Sequence, residues 1–421
     1  MITIKTFPFS ALGFMAVLGV LAGPARGHAQ GSLLPPGPPM PSMKTLEQIE
    51  PRTLISALPF TITVAGSYYL TTNLSAAAAQ DNIIVQADNV TLDLNGFMLL
   101  GSPGSSSGIT SLAPRQNLVV RNGILRNWGG HGIDAGSTEN CRFERLNVCT
   151  NGGRGIQAGG KALVDSCLTT GNADTGIHVG PASTVRNCLA SENRGHGIFA
   201  EAGGNVLDCT AQGNLLDGIS AETGSRINGS VSRQNSGQGF SGTANLLISG
   251  CTAQANEGQG ISSGAGSAVT DCLSAGNAGA GIQMEDRARV SDCTVQGNTL
   301  GGIFAGKGGT ISHCSVQNNG GDGIRVTVEC LVHNNNCHGN DNVVDSAGIH
   351  ATGNKNQIRD NSVTSNVRGV SLDVDGNFVV RNFASNNTLN YRRTQNQTMG
   401  TVLTTLDDPS SSAQAWANFA F

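Results

Sequence analysis

The chain has 421 residues, a formal net charge of −4 and only 13% charged residues. With no basic run anywhere, this balance excludes the clustered Lys and Arg that a nucleic-acid or anionic-membrane surface needs. The 58 glycines follow no three-residue repeat, so collagen is excluded and recurrent tight turns are the reading that remains.

At the start, Lys5 precedes a mostly apolar run from Ala11 to Ala22, then Gly23-Pro24 and small residues ending at Ala29. This pattern predicts a secretory signal peptide over residues 1–29. The run is too short to span a bilayer comfortably, and no later segment reaches the roughly 20 apolar residues that a membrane helix needs. The expectation is an exported protein, whether periplasmic, cell-surface or extracellular, with no membrane span. Residues 30–45 contain the Pro-rich stretch Gly31 to Pro41, an extended linker that packs poorly. Residues 46–107 hold two strand-like runs, Gly66-Ser-Tyr-Tyr-Leu70 and Val90-Thr-Leu-Asp-Leu-Asn-Gly96, which predict an N-terminal cap and the first coils.

Over residues 108–385 the sequence repeats. Asn recurs every 21 residues at Asn151, Asn172, Asn193, Asn214, Asn235, Asn256, Asn277, Asn298, Asn319 and Asn340. A Gly-aliphatic pair follows nearly every Asn by four residues, a β-branched track runs through Val164, Val185, Val206 and Ile227, and a Cys precedes most Asn residues by five. So strict a period means a solenoid. Short β-branched runs separated by Gly and Asn favour strands and leave no room for a helix. Val164 and Cys167 are three apart, an odd offset that cannot keep both inward on one straight strand, so a corner must lie between them and each coil has about three strands. The prediction is all-β, a single-stranded right-handed parallel β-helix of about 21 residues per coil with capped ends. Thirteen Gly-aliphatic pairs, from Gly108 to Gly369, predict a rod roughly 60 Å long.

The Asn side chains are read as a ladder in which each amide donates and accepts between coils. Cys167, Cys188, Cys209, Cys251, Cys272, Cys293 and Cys314 form a matching ladder of small core fillers, with Ser230 and Asn335 on the missing rungs. Cys141, Cys149, Cys330 and Cys337 lie off it, and a Cys330 to Cys337 bridge is open to an exported chain. Residues 386–421 predict a C-terminal cap in which Trp416 to Phe421 acts as an aromatic plug.

With its Gly-Ile rungs, its Val-x-x-Cys-x(4)-Asn pattern and the Val90 to Gly96 segment, the sequence resembles the secreted bacterial right-handed β-helix repeat proteins of the pectate-lyase-like superfamily. The resemblance covers nearly all of the mature chain. It implies the β-helix fold and contact with a polysaccharide, within a superfamily that holds lyases, hydrolases, epimerases, tailspikes, adhesins and noncatalytic scaffolds.

Two catalytic templates that the resemblance implies can be laid on the residues. For hydrolases, Gly130-His131-Gly132 and Gly195-His196-Gly197 match one element. However, the slot before Gly-Ile is freely variable, the only Asp-Asp pair is Asp407-Asp408, and Arg226-Ile227-Asn228 lacks the expected Lys. For lyases, Asp271 and Asp292 on adjacent rungs with His313 on the next are the nearest Ca²⁺-type carboxylates, with Arg325 as a cationic partner; Ca²⁺ enters only in this alternative. Glu201 and Glu222 form a second stacked acidic pair, read as solvated edge charges. Cys330, His333, Cys337 and His338 match no standard zinc spacing, so no metal is assigned. The slot after each Gly-aliphatic pair points outward and reads Gln157, His178, Phe199, Ser220, Ser241, Ser262, Gln283, Phe304, Arg325 and His350. Within it His178, Phe199, Gln283, Phe304, Arg325 and His350 are the candidate ligand contacts, since flat rings stack on sugars while amides and hydroxyls bond them. The leading expectation is a noncatalytic exported scaffold that contacts glycans and needs no cofactor. The alternative is a lyase or hydrolase of an acidic polysaccharide.

Overall fold

The structure, a computed structural model, describes residues 50–76, 83–111, 113–340, 344–404 and 415–421. The chain separates into two units, Met1–Glu50 and Pro51–Phe421. The signal peptide and Pro-rich linker read at residues 1–45 lie outside the described residues, as does Asp407-Asp408.

Within Pro51–Phe421 the described residues form a right-handed parallel solenoid of three strand columns with no helix. The first column contains the Gly-aliphatic strands, such as Ile156–Ala158, Ile177–Val179 and Ile198–Ala200, sixteen strands deep. That is three more than the Gly-aliphatic pairs. Phe60–Ile62, Ile83–Val85 and Leu389–Arg392 join the column without the Gly; the first two bury Ile62, Ile83 and Val85, while the last leaves Leu389 exposed at the end of the stack. Sixteen strands at the parallel spacing extend the column to about 70 Å. The second column carries the β-branched track, as in Leu163–Asp165, and the third follows the Cys, as in Leu168–Thr170. These two columns belong to one sheet because Leu118–Arg126 and Arg142–Cys149 run unbroken through the corner that divides later coils. Strand pairing therefore starts at Thr53–Ile55 and continues past residue 108 without interruption.

Each corner turns on a single left-handed residue. In one coil these are Lys161, Ser166 and Gly171, with φ of 57°, 55° and 64°; in the next they are Ala182, Asn187 and Glu192, at 55°, 54° and 56°. The connections in this coil are short, residues 159–162, 166–167 and 171–176, and the predicted break between Val164 and Cys167 is the corner at Ser166. Ile156, Val164 and Val185 are fully buried. At about 25 cal/mol per Å² of apolar area, each such rung contributes roughly 1.5–3 kcal/mol.

Ladder residues follow the corners. Asn172 donates its Nδ2 to Asn193 Oδ1 at 2.9 Å and to Val148 O at 3.1 Å, while its backbone N–H donates to the same Asn193 Oδ1 at 3.1 Å. This packing also explains the invariant Gly beside it: a Cβ on Gly176 would stand 2.6 Å from Asn193 Nδ2 and 2.7 Å from Gly197 O. The Cys ladder performs a weaker version of the same task. The Cys167 N–H points to Cys188 Sγ at 3.4 Å, Cys209 N–H to Ser230 Oγ at 3.1 Å, and Cys314 N–H to Asn335 Oδ1 at 3.0 Å. The cysteines are thus both core fillers and acceptors. All eleven are free, Cys330 and Cys337 included. Burial pushes the Cys141 thiol up to about 12, against the backbone hydrogen bond from Leu118, and raises Cys337 further, so neither is a ready thiolate.

The first repeat coils are longer, 24 residues from Gly108 to Gly132 and 23 from Gly132 to Gly155, and after Asn151 the 21-residue register loosens at one coil. Gly323 to Gly348 spans 25 residues and the corner residues Glu329 to Lys355 span 26, after which the 21-residue period resumes. From there all three corners carry Asn, namely Asn356, Asn361 and Asn366, then Asn377, Asn382 and Asn387. Asn418–Ala420 pairs with Phe383–Ser385 and with Val402–Leu403. Asn418 completes the ladder by accepting from Asn382 N and Nδ2 at 3.0 and 3.1 Å. The expected aromatic plug is therefore corrected: strand alternation turns buried Asn418 inward, and Trp416 remains 56% exposed with Arg381 stacked over it.

Candidate functional site

The outward slot of the first column is a continuous in-register line. Gln157 pairs with His178, His178 with Phe199, Phe199 with Ser220, and so on through Ser241, Ser262, Gln283, Phe304, Arg325 and His350. Period-two alternation holds the apolar residues beside them in the core and turns these side chains outward, half-buried or exposed except for Ser241, which is buried. The chemistry concentrates at two places along the line, separated by the serines.

The first is built around Phe199. Its ring meets His178 edge-on at 4.9 Å and His196 at 5.7 Å. His178 Nε2 bonds Glu201 at 3.1 Å, and His196 Nδ1 lies 3.6 Å from Asp217. Burial holds His178 below the usual imidazole range, helped by Arg154 and opposed by Glu201. Asp217 is already engaged, accepting the Gln238 N–H at 2.7 Å and the Ser241 hydroxyl at 2.7 Å. Of the two Gly-His-Gly motifs, only His196 joins this patch; His131 uses Nδ1 to accept the Arg154 N–H at 2.8 Å, a corner role.

The second is built around Phe304. The Arg325 guanidinium lies 5.9 Å from its ring centre, and among the described residues it has no carboxylate partner. Gln283 occupies the preceding slot and accepts from Gln259 at 3.1 Å. Shallow hollows of about 280 Å³ and 240 Å³ lie on either side of the Phe304–Arg325 pair. On the next coil His350 is clamped through both ring nitrogens, Nδ1 to Asp322 at 2.8 Å and Nε2 to Asp373 at 3.0 Å, and Arg392 in turn holds Asp373 at 2.7 Å. Burial works to lower the His350 pKa, but the two carboxylates outweigh it and raise it.

Asp271 and Asp292 are elsewhere. Both are exposed corner residues with φ of 53° and 58°, between the second and third columns, and His313 repeats the position at 55°. The structure therefore does not bring them to Arg325, which is on the first column, and their recurrence follows from the left-handed backbone that Asp and Asn tolerate. Cys330, His333, Cys337 and His338 do not converge either: Cys330 and Cys337 are buried, whereas His338 is exposed and bonds Thr364 at 3.0 Å. Among the described residues no group of three or more His, Cys, Asp or Glu is placed to hold a metal ion. No helix among them is long and apolar enough to cross a membrane, which says nothing of a β-barrel.

Three repeating columns with one continuous decorated face define a β-solenoid of the repeat class. The chain matches the family described as "Right handed beta helix region" over residues 87–231, 184–310 and 239–389, and it belongs to that family. No curated protein matches the sequence. Among solved structures it is similar to the Azotobacter vinelandii mannuronan C-5 epimerase AlgE4 A-module, with 13% identity, 74% of this chain and 90% of that chain covered, and a TM-score of 0.46. It is also similar to the periplasmic alginate epimerase AlgG (13% identity, 74% and 76% covered, TM-score 0.40) and to the N-terminal fragment of bacteriophage Phi29 gene product 12 (10%, 78% and 77%, 0.39).

Proposed function

We propose that this is an exported, noncatalytic β-helix whose first-column face contacts a polysaccharide. The observation that carries the reading is the unbroken outward line of rings, amides and hydroxyls, repeated at about 4.8 Å. Such a line offers stacking surfaces and hydrogen-bond partners to an extended, hydroxyl-rich chain. The noncatalytic part is supported by how the titratable groups are engaged. His350 has both nitrogens on carboxylates, His178 is on Glu201, and Asp217 holds Gln238 and Ser241. A general base needs a free, positioned acceptor, and an enclosed site needs more than shallow hollows. No cofactor is required. The lyase or hydrolase alternative has less support, because two corner carboxylates are few for Ca²⁺, which takes roughly 6–8 oxygen ligands.

The test is a polysaccharide screen of the mature protein with and without Ca²⁺, reading both binding and the release of reducing or unsaturated ends. Binding without release is the expected result. Release of ends overturns the noncatalytic part, and silence on both readouts overturns the glycan part. The N-terminal pattern supports export, and the cleavage site can be read by sequencing the N-terminus of protein recovered outside the cytoplasm.

A further inference from the structure

We infer that the ligand of this face is a non-anionic glycan chain, uncharged or amine-bearing, that lies along the solenoid axis and engages Phe199 and Phe304 together; the inference rests on the binding-face reading above. Phe199 and Phe304 are separated by five rungs of one in-register column, which at the parallel strand spacing is about 24 Å. Between them the floor is low and hydrophilic: Ser220, Ser241 and Ser262, then Gln283. Two bulky ends with small residues between them form a trough open along the axis, and a chain that reaches both rings gains the second contact intramolecularly.

The charge along the trough selects the ligand class. One rim is the slot before each Gly-aliphatic pair, from His196 to Gly301; the other is the slot two residues past the floor, from Glu201 to Gly306. Floor and rims together contain Glu201, Asp217, Glu222 and Glu285 and no Lys or Arg. Glu201 is bonded to His178, and Asp217 to Gln238 and Ser241, so both belong to the wall. Glu222 and Glu285 have no ion pair or side-chain hydrogen bond among the described residues, and each stands two residues past the floor, on the outward parity of the strand it follows. Arg325 is one rung beyond Phe304 with its guanidinium 5.9 Å from that ring, so one cation stands at the far end of the span and none between the rings. A polyuronate laid between the two rings would place its carboxylates against these acids at every salt concentration low enough for charges to be felt. A neutral chain meets no such opposition, and an amine-bearing one is attracted.

The experiment is calorimetric titration of the purified protein with three oligosaccharide series of increasing length: cello-oligosaccharides, chitosan oligosaccharides and oligogalacturonates. For the first or second series, affinity is expected to step up about 10-fold or more once the chain is long enough to reach both rings. Phe199→Leu and Phe304→Leu should each remove the step, so that long chains bind no more tightly than short chains bind the one remaining ring; leucine keeps the apolar packing, and circular dichroism checks the fold. Oligogalacturonates of equal length should bind about 10-fold more weakly or worse, improving with salt and in the Glu222→Gln/Glu285→Gln variant. If chitosan binds more tightly than the neutral series and loses that advantage in the double variant, the amine-bearing form is the ligand; equal binding assigns the uncharged form. Oligogalacturonates binding as tightly as the neutral series, or affinity rising smoothly with no step, overturns the inference and leaves the binding face standing. No binding in any series overturns both.

Discussion

The central coils and the last coils solve the same corner problem with different chemistry. In the centre, the three corners of a coil carry Ser183, Cys188 and Asn193; near the C-terminal end they carry Asn356, Asn361 and Asn366. Each ladder side chain must present one acceptor to a backbone N–H of the preceding coil. Hydroxyl oxygen does this at 2.9 Å for Ala162, sulfur at 3.4 Å for Cys167 and amide oxygen at 3.1 Å for Asn172. Ser183 and Cys188 each donate their single hydrogen to a carbonyl, Gly159 O at 3.3 Å and Arg186 O at 3.1 Å, whereas the two hydrogens of the Asn172 amide reach both the next rung's Asn193 Oδ1 and Val148 O. The difference teaches that the Asn corner is obligatory in this repeat, whereas the other two are looser: one takes Cys, Ser or Asn, and the other alternates Ser with Gly204, Leu246 and Ala288, which offer no side-chain acceptor, until the amide takes over both at the end of the stack.

The comparison can be broken in order of severity. Asn235→Ala should have the largest effect. It removes the acceptor of Asn214 N and Nδ2 and the donor to Ala211 O, Ser232 Oγ and Asn256 Oδ1, all buried. Several unsatisfied buried groups at about 1–3 kcal/mol each predict a loss of about 3–4 kcal/mol in urea unfolding. Asn335→Cys turns an amide corner into a thiol corner and loses the donations to Ile311 O and Asn361 Oδ1. About 1–3 kcal/mol should go, with the last coils losing hydrogen-exchange protection first. Cys272→Ser substitutes one acceptor for another, as Ser230 already does, so its unfolding midpoint should stay within about 1 kcal/mol of the parent. A large loss there would mean that the thiols act by packing alone.

The His350 clamp gives a pH signature to the last coils. Its folded pKa is raised, so the stability it contributes is fully present below the unfolded value of about 6.5 and is lost as pH rises through the folded value. Melting followed from pH 5 to pH 9 should show a decline that His350→Gln abolishes. The groups facing this imidazole are Asp322, Asp373 and, through Asp373, Arg392. Smallest of all, Asp271→Asn and Asp292→Asn should leave glycan binding and its Ca²⁺ response unchanged, since Asn tolerates the same left-handed corner.

The period, the Asn ladder and the outward line were legible in the sequence because each is a repeat of one residue class at a constant interval. Three things were not. Gly, Asn and Asp recur at the left-handed corners, but Lys161, Glu192 and Arg381 occupy them too, so residue identity marks only some of them. The third ladder is split between Ser183, Ser225 and Ser267 in alternate coils and Asn356 and Asn377 later, with Gly204, Leu246, Ala288, Gly309 and Cys330 between, which hides it below any single-residue pattern. The site's partners are legible only with side-chain direction: Asp217 and Asp322 lean one coil onward to Ser241 and His350, across intervals of 24 and 28 residues that no repeat announces. Conversely, the regular spacing of Asp271 and Asp292 looked like chemistry and reflects backbone conformation.

The most direct test of the binding face is hydroxyl-radical footprinting with and without a bound polysaccharide. Phe199 and Phe304 report on the first column, while Leu247 on the second and Leu189 on the third, 38% and 39% exposed, report on the other faces. Protection of both phenylalanines with unchanged leucines is the predicted result. Protection at Leu189 or Leu247 while Phe199 and Phe304 stay reactive would contradict it.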